Sequence, residues 1–210
     1  MKKVLALAVA LYAGTAFAAV SATKHNINNF TTPTANFVGT GDVCYYCHAA
    51  HNTVGGQYQP LWARTNPTTS GGAYTTYSSS TVSKNIAGAV DQVSLACLSC
   101  HDGTIATNQT IKGRVGGGAA DKFIGAFDAN KKVGPDISND HPVSLNWRTD
   151  GGAGLLAAVP APFMVFSTSA GANTLTCASC HEPHGQFAFA KFLRADPNSG
   201  SFCVTCHANK

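Results

Sequence analysis

The chain has 210 residues, of which only 11% are charged, and its net charge is +4 at pH 7. Soluble domains usually contain about 25% charged residues, so this composition is typical either of a loop-rich secreted protein or of a surface that is buried in an assembly. Beyond the N-terminus no segment has the length of apolar sequence that spans a bilayer, which excludes an ordinary transmembrane protein.

The N-terminus has the three parts of a secretory signal peptide. Lys2 and Lys3 give a positive start, residues 4–12 form an apolar run, and Ala-Phe-Ala at 16–18 is a small-x-small cleavage site. A membrane-anchoring helix is the alternative, but the run is shorter than the about 20 residues that such a helix needs. We expect residues 1–18 to be removed and the protein to be secreted through the periplasm to the cell surface or the medium.

Four C-x-x-C-H motifs follow along the chain, and together they use all eight cysteines. The motif is the attachment signal for c-type haem: the two thiols form thioethers with the porphyrin, and the histidine is the proximal iron ligand. The sequence therefore predicts four covalent haems. Their thioether residues are Cys44, Cys47, Cys97, Cys100, Cys177, Cys180, Cys203 and Cys206, and their proximal ligands are His48, His101, His181 and His207.

A disulfide framework, a zinc site and a redox C-x-x-C pair are the alternative interpretations of these cysteines. A disulfide framework gives no reason for a histidine after every pair, and a zinc ribbon needs two pairs rather than four such triplets. A single motif would be moderate evidence for haem. Four motifs that use every cysteine are strong evidence.

The expected fold class is mostly irregular coil with short helices at the haem motifs and little β-structure. Removal of residues 1–18 leaves 192 residues, or 48 for each predicted haem, which is too few for four separate domains. We expect one compact tetrahaem domain over residues 19–210, in which the porphyrins form much of the apolar interior. A further helix is expected between Lys84 and Cys97, and a short strand over Phe187–Leu193.

Charge gives no indication of nucleic-acid binding. Without Lys2 and Lys3 the chain has 12 basic and 10 acidic residues. Each haem adds two propionates, so the holoprotein would be acidic although the sequence pI is about 8.6.

A weak internal repeat divides the mature chain into two predicted two-haem units, about 19–130 and 131–210. The first and third motifs extend to C-x-x-C-H-x-x-H, ending at His51 and His184. Each is followed by a related phrase, PLWARTNP or FLRADP, and each unit has an upstream histidine, His25 or His141. Chance or local packing is the alternative explanation of so short a similarity.

The histidines outside the motifs are as numerous as the predicted irons. They are His25, His51, His141 and His184. Met164 is the only methionine left after signal removal, so methionine cannot complete the irons generally. The equal numbers predict a distal histidine at every haem, giving low-spin, low-potential irons without an open position. A surface or capping role is the alternative for each of these histidines.

His51 and His184 cannot complete the haem of their own motif, because residues i and i+3 of one helical turn project to the same side. If the upstream histidine of each unit completes its first haem, His25 binds opposite His48 and His141 opposite His181. His184 is then predicted to bind opposite His101. By the same rule His51 binds the His207 haem of another subunit, a head-to-tail contact that forms a filament or a ring.

In these features the chain resembles the extracellular multihaem cytochrome filaments ("nanowires") of metal-reducing microbes, most closely the tetrahaem OmcE type. The resemblance is carried by CYYCHAAHN, PLWARTNP, CLSCHDGT, DHPVS, CASCHEPHG with FLR, and FCVTCHANK. It spans nearly all of the mature chain. It implies a helical homopolymer with a continuous haem stack, bis-histidine ligation and one axial histidine from a neighbouring subunit.

The expected function is electron transfer rather than catalysis, with copies of the same chain, other redox proteins or extracellular acceptors as partners. A soluble periplasmic tetrahaem shuttle resembling cytochrome c3 is one alternative, and it would keep His51 within its own subunit. A multihaem nitrite or sulfite reductase is the other, and it would require a five-coordinate haem.

Overall fold

The computed structural model describes most of the chain after residue 19. The described residues are 20–29, 31–32, 35–36, 42–53, 59, 61–65, 67, 74–80, 89–114, 120–147 and 154–207. The predicted signal peptide, residues 1–18, lies outside them. In this described part, no helix combines the length and the apolar character that crossing a membrane requires.

Helices are short, and most of the described strands have two residues. The α-helices are α1 (Gln92–His101), α2 (Ile124–Phe127), α3 (Cys177–Cys180) and α4 (Ser201–Val204), with 3-10 turns at Ile27–Asn29, Ala129–Lys131, Ala190–Phe192 and Pro197–Ser199. The strands are β1 (Thr31–Thr32), β2 (Ala35–Asn36), β3 (Thr75–Thr76), β4 (Gln109–Thr110), β5 (Gly113–Arg114), β6 (Asp136–Ile137), β7 (Leu145–Asn146), β8 (Phe166–Thr168) and β9 (Gly171–Leu175).

The longest described helix, α1, begins and ends at clear sequence signals. Asp91 is its N-cap, and its carboxylate accepts a hydrogen bond from the amide of Ser94 at 2.9 Å. Gly103, with φ +77°, follows the last turn in the left-handed conformation that ends many helices. The helix therefore ends with the second C-x-x-C-H motif as its last turn.

The described strands form small separate sheets. Antiparallel hairpins join β1 to β2 and β4 to β5, and β7, β9 and β8 form a three-stranded antiparallel sheet with β9 in the centre. The pair β3–β6 is parallel, with Thr75 opposite Asp136. That pair brings together residues from the two units predicted from the repeat.

The buried apolar residues form small clusters next to the cysteine motifs. One cluster contains Ile27 and Tyr46, with Cys47 packed against it. Another contains Val90, Leu98 and Ile137. Within the described residues, these clusters lie beside the first and second motifs.

Two local expectations differ from the structure. The predicted strand at Phe187–Leu193 is wrong: Ala190–Phe192 is a 3-10 turn, and positive φ values at Lys191 and Phe192 interrupt an extended path. The first motif, unlike the other three, is a hydrogen-bonded turn rather than part of an α-helix. The expected helix between Lys84 and Cys97 begins at Gln92, and residues 81–88 lie outside the described residues.

Candidate haem centres

Each C-x-x-C-H motif occupies a single backbone turn. In three motifs the amide of the histidine donates to the carbonyl of the first cysteine: His48 to Cys44 at 2.8 Å, His181 to Cys177 at 3.0 Å and His207 to Cys203 at 3.0 Å. The second motif has the same spacing within α1. Two thiols and an imidazole thus belong to one turn, as attachment to one porphyrin edge requires.

Six of the eight histidine rings form three pairs. The ring centres are 6.3 Å apart for His25 and His101, 6.3 Å for His48 and His184, and 6.4 Å for His141 and His207. An imidazole nitrogen lies about 2 Å from a bound transition metal, so two axial rings on opposite sides of one metal have centres roughly 6 Å apart. Each pair combines one predicted proximal histidine with one predicted distal histidine.

Five histidine rings are oriented by a hydrogen bond at Nδ1. The acceptors are the carbonyls of Pro183 for His25 (2.8 Å), Lys131 for His101 (2.8 Å), Lys191 for His181 (2.8 Å) and Pro142 for His141 (3.1 Å), and the Glu182 carboxylate for His184 (2.7 Å). A carbonyl or an ionised carboxylate accepts only, so Nδ1 carries the proton and Nε2 keeps its lone pair. Nε2 is then the nitrogen available to a metal.

The three ring pairs differ from the pairing predicted from the tandem repeat. His25 lies opposite His101 rather than His48, His184 opposite His48 rather than His101, and His141 opposite His207 rather than His181. The prediction assumed that each unit completes its own first haem. Instead, the first and third motifs face each other, and the carbonyl of Pro183, between the third motif's two histidines, holds His25.

His51 and His181 are the two histidines outside these pairs. All eight histidines belong to the described residues, and no ring contact among them joins His51 or His181 to another imidazole. Both side chains are exposed. The third motif therefore has an oriented histidine, His181, whose ring contacts no other imidazole among the described residues.

The thiols of successive motifs are neighbours. Burial, with repulsion from Cys100, raises the pKa of the Cys47 thiol to about 12. The Cys97 thiol shares a hydrogen bond with Cys177, which together with burial raises the pKa of Cys97. Burial, with repulsion from Cys206, raises the pKa of Cys180 to about 11. The motifs are therefore arranged in chain order, first beside second, second beside third, and third beside fourth.

A buried arginine connects the first and second motifs. Arg64 is fully buried, and its guanidinium donates to the carbonyls of Ser99 (2.8 Å), Ala106 (2.9 Å), Thr107 (2.8 Å) and Gln109 (2.8 Å) and to the Ser99 hydroxyl (3.1 Å). The preceding residue, Ala63, donates its amide to the carbonyl of Cys47 at 2.8 Å. One guanidinium thus fixes the loop after α1 against the first motif.

A buried hydroxyl network connects the second and third motifs. The amide of Cys177 donates to the Ser94 hydroxyl at 3.1 Å. That hydroxyl and the Ser144 hydroxyl both donate to one carboxylate oxygen of Asp91, each at 2.7 Å. The N-cap of α1 therefore also positions the start of the third motif.

Glu182 contacts a paired histidine directly. It is buried, and besides the His184 ring its carboxylate accepts the amide of His184 at 3.1 Å and that of Gln186 at 2.9 Å. Burial by itself would raise the pKa of Glu182, but the hydrogen bonds from Gln186 and His184 outweigh it and hold that pKa below its ordinary value. This carboxylate is ionised at neutral pH.

Two residues with left-handed backbone contact His181 and His25. The Lys191 carbonyl orients His181, and the adjacent Phe192 ring stacks on His25 with centres 4.2 Å apart and an angle of 11°. Lys191 has φ +58° and Phe192 φ +59°. Such a conformation costs a non-glycine residue about 1–2 kcal/mol.

Sequence reasoning did not assign a role to Arg64, Glu182 or Phe192. Arg64 and Phe192 lie in the repeated phrases after the first and third motifs, which indicated a shared structure but no particular contact. Glu182 lies between the two histidines of C-H-E-P-H. A carboxylate so close to two ligands is a signal for a hydrogen bond to one of their rings.

One family matches part of the chain. Residues 170–210, which contain the third and fourth motifs, match the family described as the doubled CXXCH motif. None of the curated proteins matches the chain. The family match indicates a multihaem c-type cytochrome-like protein with covalently bound c-type haem and an electron-transfer role. It confirms the predicted haem attachment at this level of detail.

The residues present fit c-type haem. No described cysteine is in a disulfide, and in the described part of the chain no three His, Cys, Asp or Glu side chains converge as a bare metal ion would need. The Trp62 ring meets the His48 ring edge-on at 5.7 Å, and its buried N–H has no acceptor among the described residues. A haem bound through His48 would lie beside the Trp62 ring, and one of its propionates could accept the Trp62 N–H.

Proposed function

We propose that the protein transfers electrons through four bis-histidine c-type haems, as the subunit of a secreted head-to-tail filament that serves extracellular electron transfer. The observation that carries the proposal is the set of three histidine pairs at 6.3 to 6.4 Å. When bound, c-type haem supplies a one-electron iron couple. The chain supplies ligands, orientation and the order of the centres.

The proposed centres are named by their motifs. Centre 1 is attached at Cys44 and Cys47 with His48 and His184 as ligands, centre 2 at Cys97 and Cys100 with His101 and His25, and centre 4 at Cys203 and Cys206 with His207 and His141. Centre 3 is attached at Cys177 and Cys180, and its ligands are His181 and His51 of a neighbouring subunit. The neighbouring histidine thus completes centre 3 rather than the His207 haem that the sequence predicted.

Assembly through His51 is supported by its position. His51 is exposed and lies three residues after His48, while the exposed His181 lies three residues before His184. The two histidines that lack partners therefore flank the two ligands of centre 1. A subunit that donates His51 and accepts another through His181 forms a head-to-tail contact, which repeats along a filament.

Within a subunit, the residues around the paired histidines would hold both rings as ligands of a bound haem iron. The Nδ1 hydrogen bonds at His25, His101 and His141 hold those rings with Nε2 available as the ligand. A pair of imidazoles leaves no position for water or substrate. This arrangement supports electron transfer rather than catalysis.

The test compares His51→Ala with His184→Ala in the haem-loaded, secreted protein. We expect His51→Ala to abolish filaments in negative-stain micrographs and to leave three low-spin centres and one high-spin centre, which contains the third haem. We expect His184→Ala to keep the filaments and to produce high-spin iron at centre 1. Filaments formed by His51→Ala would contradict the assembly, and a haem content below four per chain in the unmodified protein would contradict the number of centres.

A reductase is the second candidate, and the lack of an in-chain imidazole opposite His181 favours it. If no neighbour supplies the ligand, centre 3 is five-coordinate and can bind an exogenous molecule. Carbon monoxide added to the reduced, assembled protein distinguishes the two candidates. A spectral change in one quarter of the haem would favour the reductase, whereas an unchanged spectrum is expected for the filament.

A further inference from the structure

The five oriented histidines differ in the charge of the group that accepts their Nδ1 hydrogen. His25, His101, His141 and His181 each donate to a neutral carbonyl. His184 alone among these five donates to a carboxylate, at 2.7 Å. Backbone hydrogen bonds maintain the contact between the carboxylate and the ring: the amides of His184 and Gln186 donate to the Glu182 carboxylate and hold it against His184.

A carboxylate changes the ligand more than a carbonyl does. It draws the Nδ1 proton more strongly, so the imidazole gains imidazolate character and becomes a stronger donor through Nε2. A stronger donor stabilises ferric iron relative to ferrous iron. The negative charge is also buried, where it acts on the metal with little screening by water. Both effects lower the reduction potential.

The same histidine pair is also distinguished by the angle between its rings. The planes of His48 and His184 differ by 22°, whereas those of His25 and His101 differ by 64° and those of His141 and His207 by 71°. Parallel axial rings separate the energies of the two iron d orbitals that overlap with them, and perpendicular rings leave those energies similar. Centre 1 should therefore give a rhombic low-spin EPR spectrum, and centres 2 and 4 strongly anisotropic spectra.

We infer that Glu182 is a positioning residue that makes centre 1 the lowest-potential haem of the three whose ligands both belong to one subunit. The inference rests on the histidine pairing of the proposed function. With haem bound, one electron from dithionite would reduce each ferric iron to ferrous iron, and centre 1, ligated by His48 and His184, would accept its electron after centres 2 and 4. Since the ligands of centre 1 adjoin His51 and His181, this step in potential lies at the junction between subunits.

The test is an EPR-monitored redox titration of the unmodified holoprotein and of Glu182→Gln. In the unmodified protein, the rhombic signal should be the last of the three in-chain signals to disappear as the potential is lowered. In Glu182→Gln, which keeps an oxygen acceptor for the backbone amides, that centre alone should become easier to reduce by about tenfold, equivalent to 59 mV for one electron.

Asp128→Asn is the matched control, because Asp128 caps a 3-10 turn through the amide of Asn130 and its carboxylate is not an acceptor for a histidine ring. It removes the same charge and should leave the rhombic centre unchanged. If the rhombic signal disappears before the other in-chain signals, or if Glu182→Gln and Asp128→Asn have the same effect, the inference is wrong.

Failure of the underlying pairing would look different. It would appear as high-spin iron at a paired centre or as fewer than four haems per chain in the unmodified protein. The order of reduction in the unmodified protein tests Glu182 even where the variant is poorly produced, since that order needs no substitution.

Discussion

In the described residues of the first segment (44–53, 59 and 61–63) and in residues 177–194, the backbone shares several contacts and conformations. The proximal histidine of each segment forms an isolated antiparallel bridge with the returning chain, His48 with Trp62 and His181 with Leu193. The residue after each bridge donates its amide to the carbonyl of the motif's second cysteine. Ala63 donates to Cys47 at 2.8 Å, and Arg194 donates to Cys180 at 2.9 Å. Positive φ values recur at Leu61 and Phe192, and again at Asn52 and Gly185.

The side chains at matching positions differ, so the second histidine of each segment has different contacts. Glu182 corresponds to Ala49, so a carboxylate orients His184, whereas the methyl side chain of Ala49 cannot orient His51 in this way. The common backbone creates a turn with two histidines. We propose that the residue after the proximal histidine separates the two cases: the Glu182 carboxylate holds His184 for its own subunit, and Ala49 leaves His51 for a neighbour.

The largest difference that we expect concerns the arginines at the ends of the two segments, Arg64 directly after the first and Arg194 at the end of the second. Arg64→Leu leaves several buried carbonyls without a donor, and each such loss costs about 1–3 kcal/mol, so the free energy of unfolding should fall by at least about 3 kcal/mol. Arg194→Leu removes a bond from a half-buried guanidinium to the Ala178 carbonyl, and should cost about 1 kcal/mol. Guanidinium unfolding of the holoprotein, followed at the Soret band, measures both.

Arg64→Lys is the control for the shape of the side chain. It keeps the charge, but a single ammonium cannot reach the separate carbonyls that the guanidinium contacts. We expect most of the loss to remain. Equal losses for Arg64→Leu and Arg194→Leu would contradict the distinction between the two segments.

An intermediate effect is expected from the contacts at the first cysteine of each motif. The amide of Cys44 donates to the exposed Asp42 carboxylate at 2.8 Å, and that of Cys177 to the buried Ser94 hydroxyl. Ser94→Ala should lower the free energy of unfolding by about 1–3 kcal/mol, and Asp42→Ala by less than about 1 kcal/mol, because water can replace the exposed acceptor. Urea titrations of the two variants compare them, and a larger effect of Asp42→Ala would contradict this contrast.

The smallest effect concerns acid stability. The pKa of Glu182 is held below its ordinary value of 4.5, so its contribution to stability is fully present above about pH 4.5 and is lost as the pH falls through the folded-state pKa. Glu182→Gln should therefore reduce the pH dependence of unfolding below pH 4.5 by less than one proton. Urea midpoints measured between pH 3 and pH 6, by roughly half-unit steps, test this.

The first motif supplies the control for that measurement. Its corresponding residue, Ala49, has no titrating group, so Ala49→Ser should leave the pH dependence unchanged. A steeper acid dependence in Glu182→Gln would show that the carboxylate is not stabilised by its hydrogen bonds in the folded protein.

The cysteine and histidine motifs could be predicted because their chemistry is local. One turn of backbone carries both thiols and the proximal histidine, and the family match over residues 170–210 supports that interpretation. The repeated phrases after His51 and His184 were also visible, and the two isolated bridges give them a structural meaning. The strand predicted over Phe187–Leu193 was wrong because the backbone there bends to hold His25 and His181.

The sequence by itself determined which residues can bind haem, because covalent attachment and proximal ligation need groups only a few residues apart. It also indicated that there are as many further histidines as motifs. Which histidine faces which was decided by the tertiary structure, since the pairs join residues as distant as His48 and His184. Spacing along the chain contains no information on contacts over that distance, and these contacts depend on buried groups such as Arg64 and Asp91 that hold the motifs side by side.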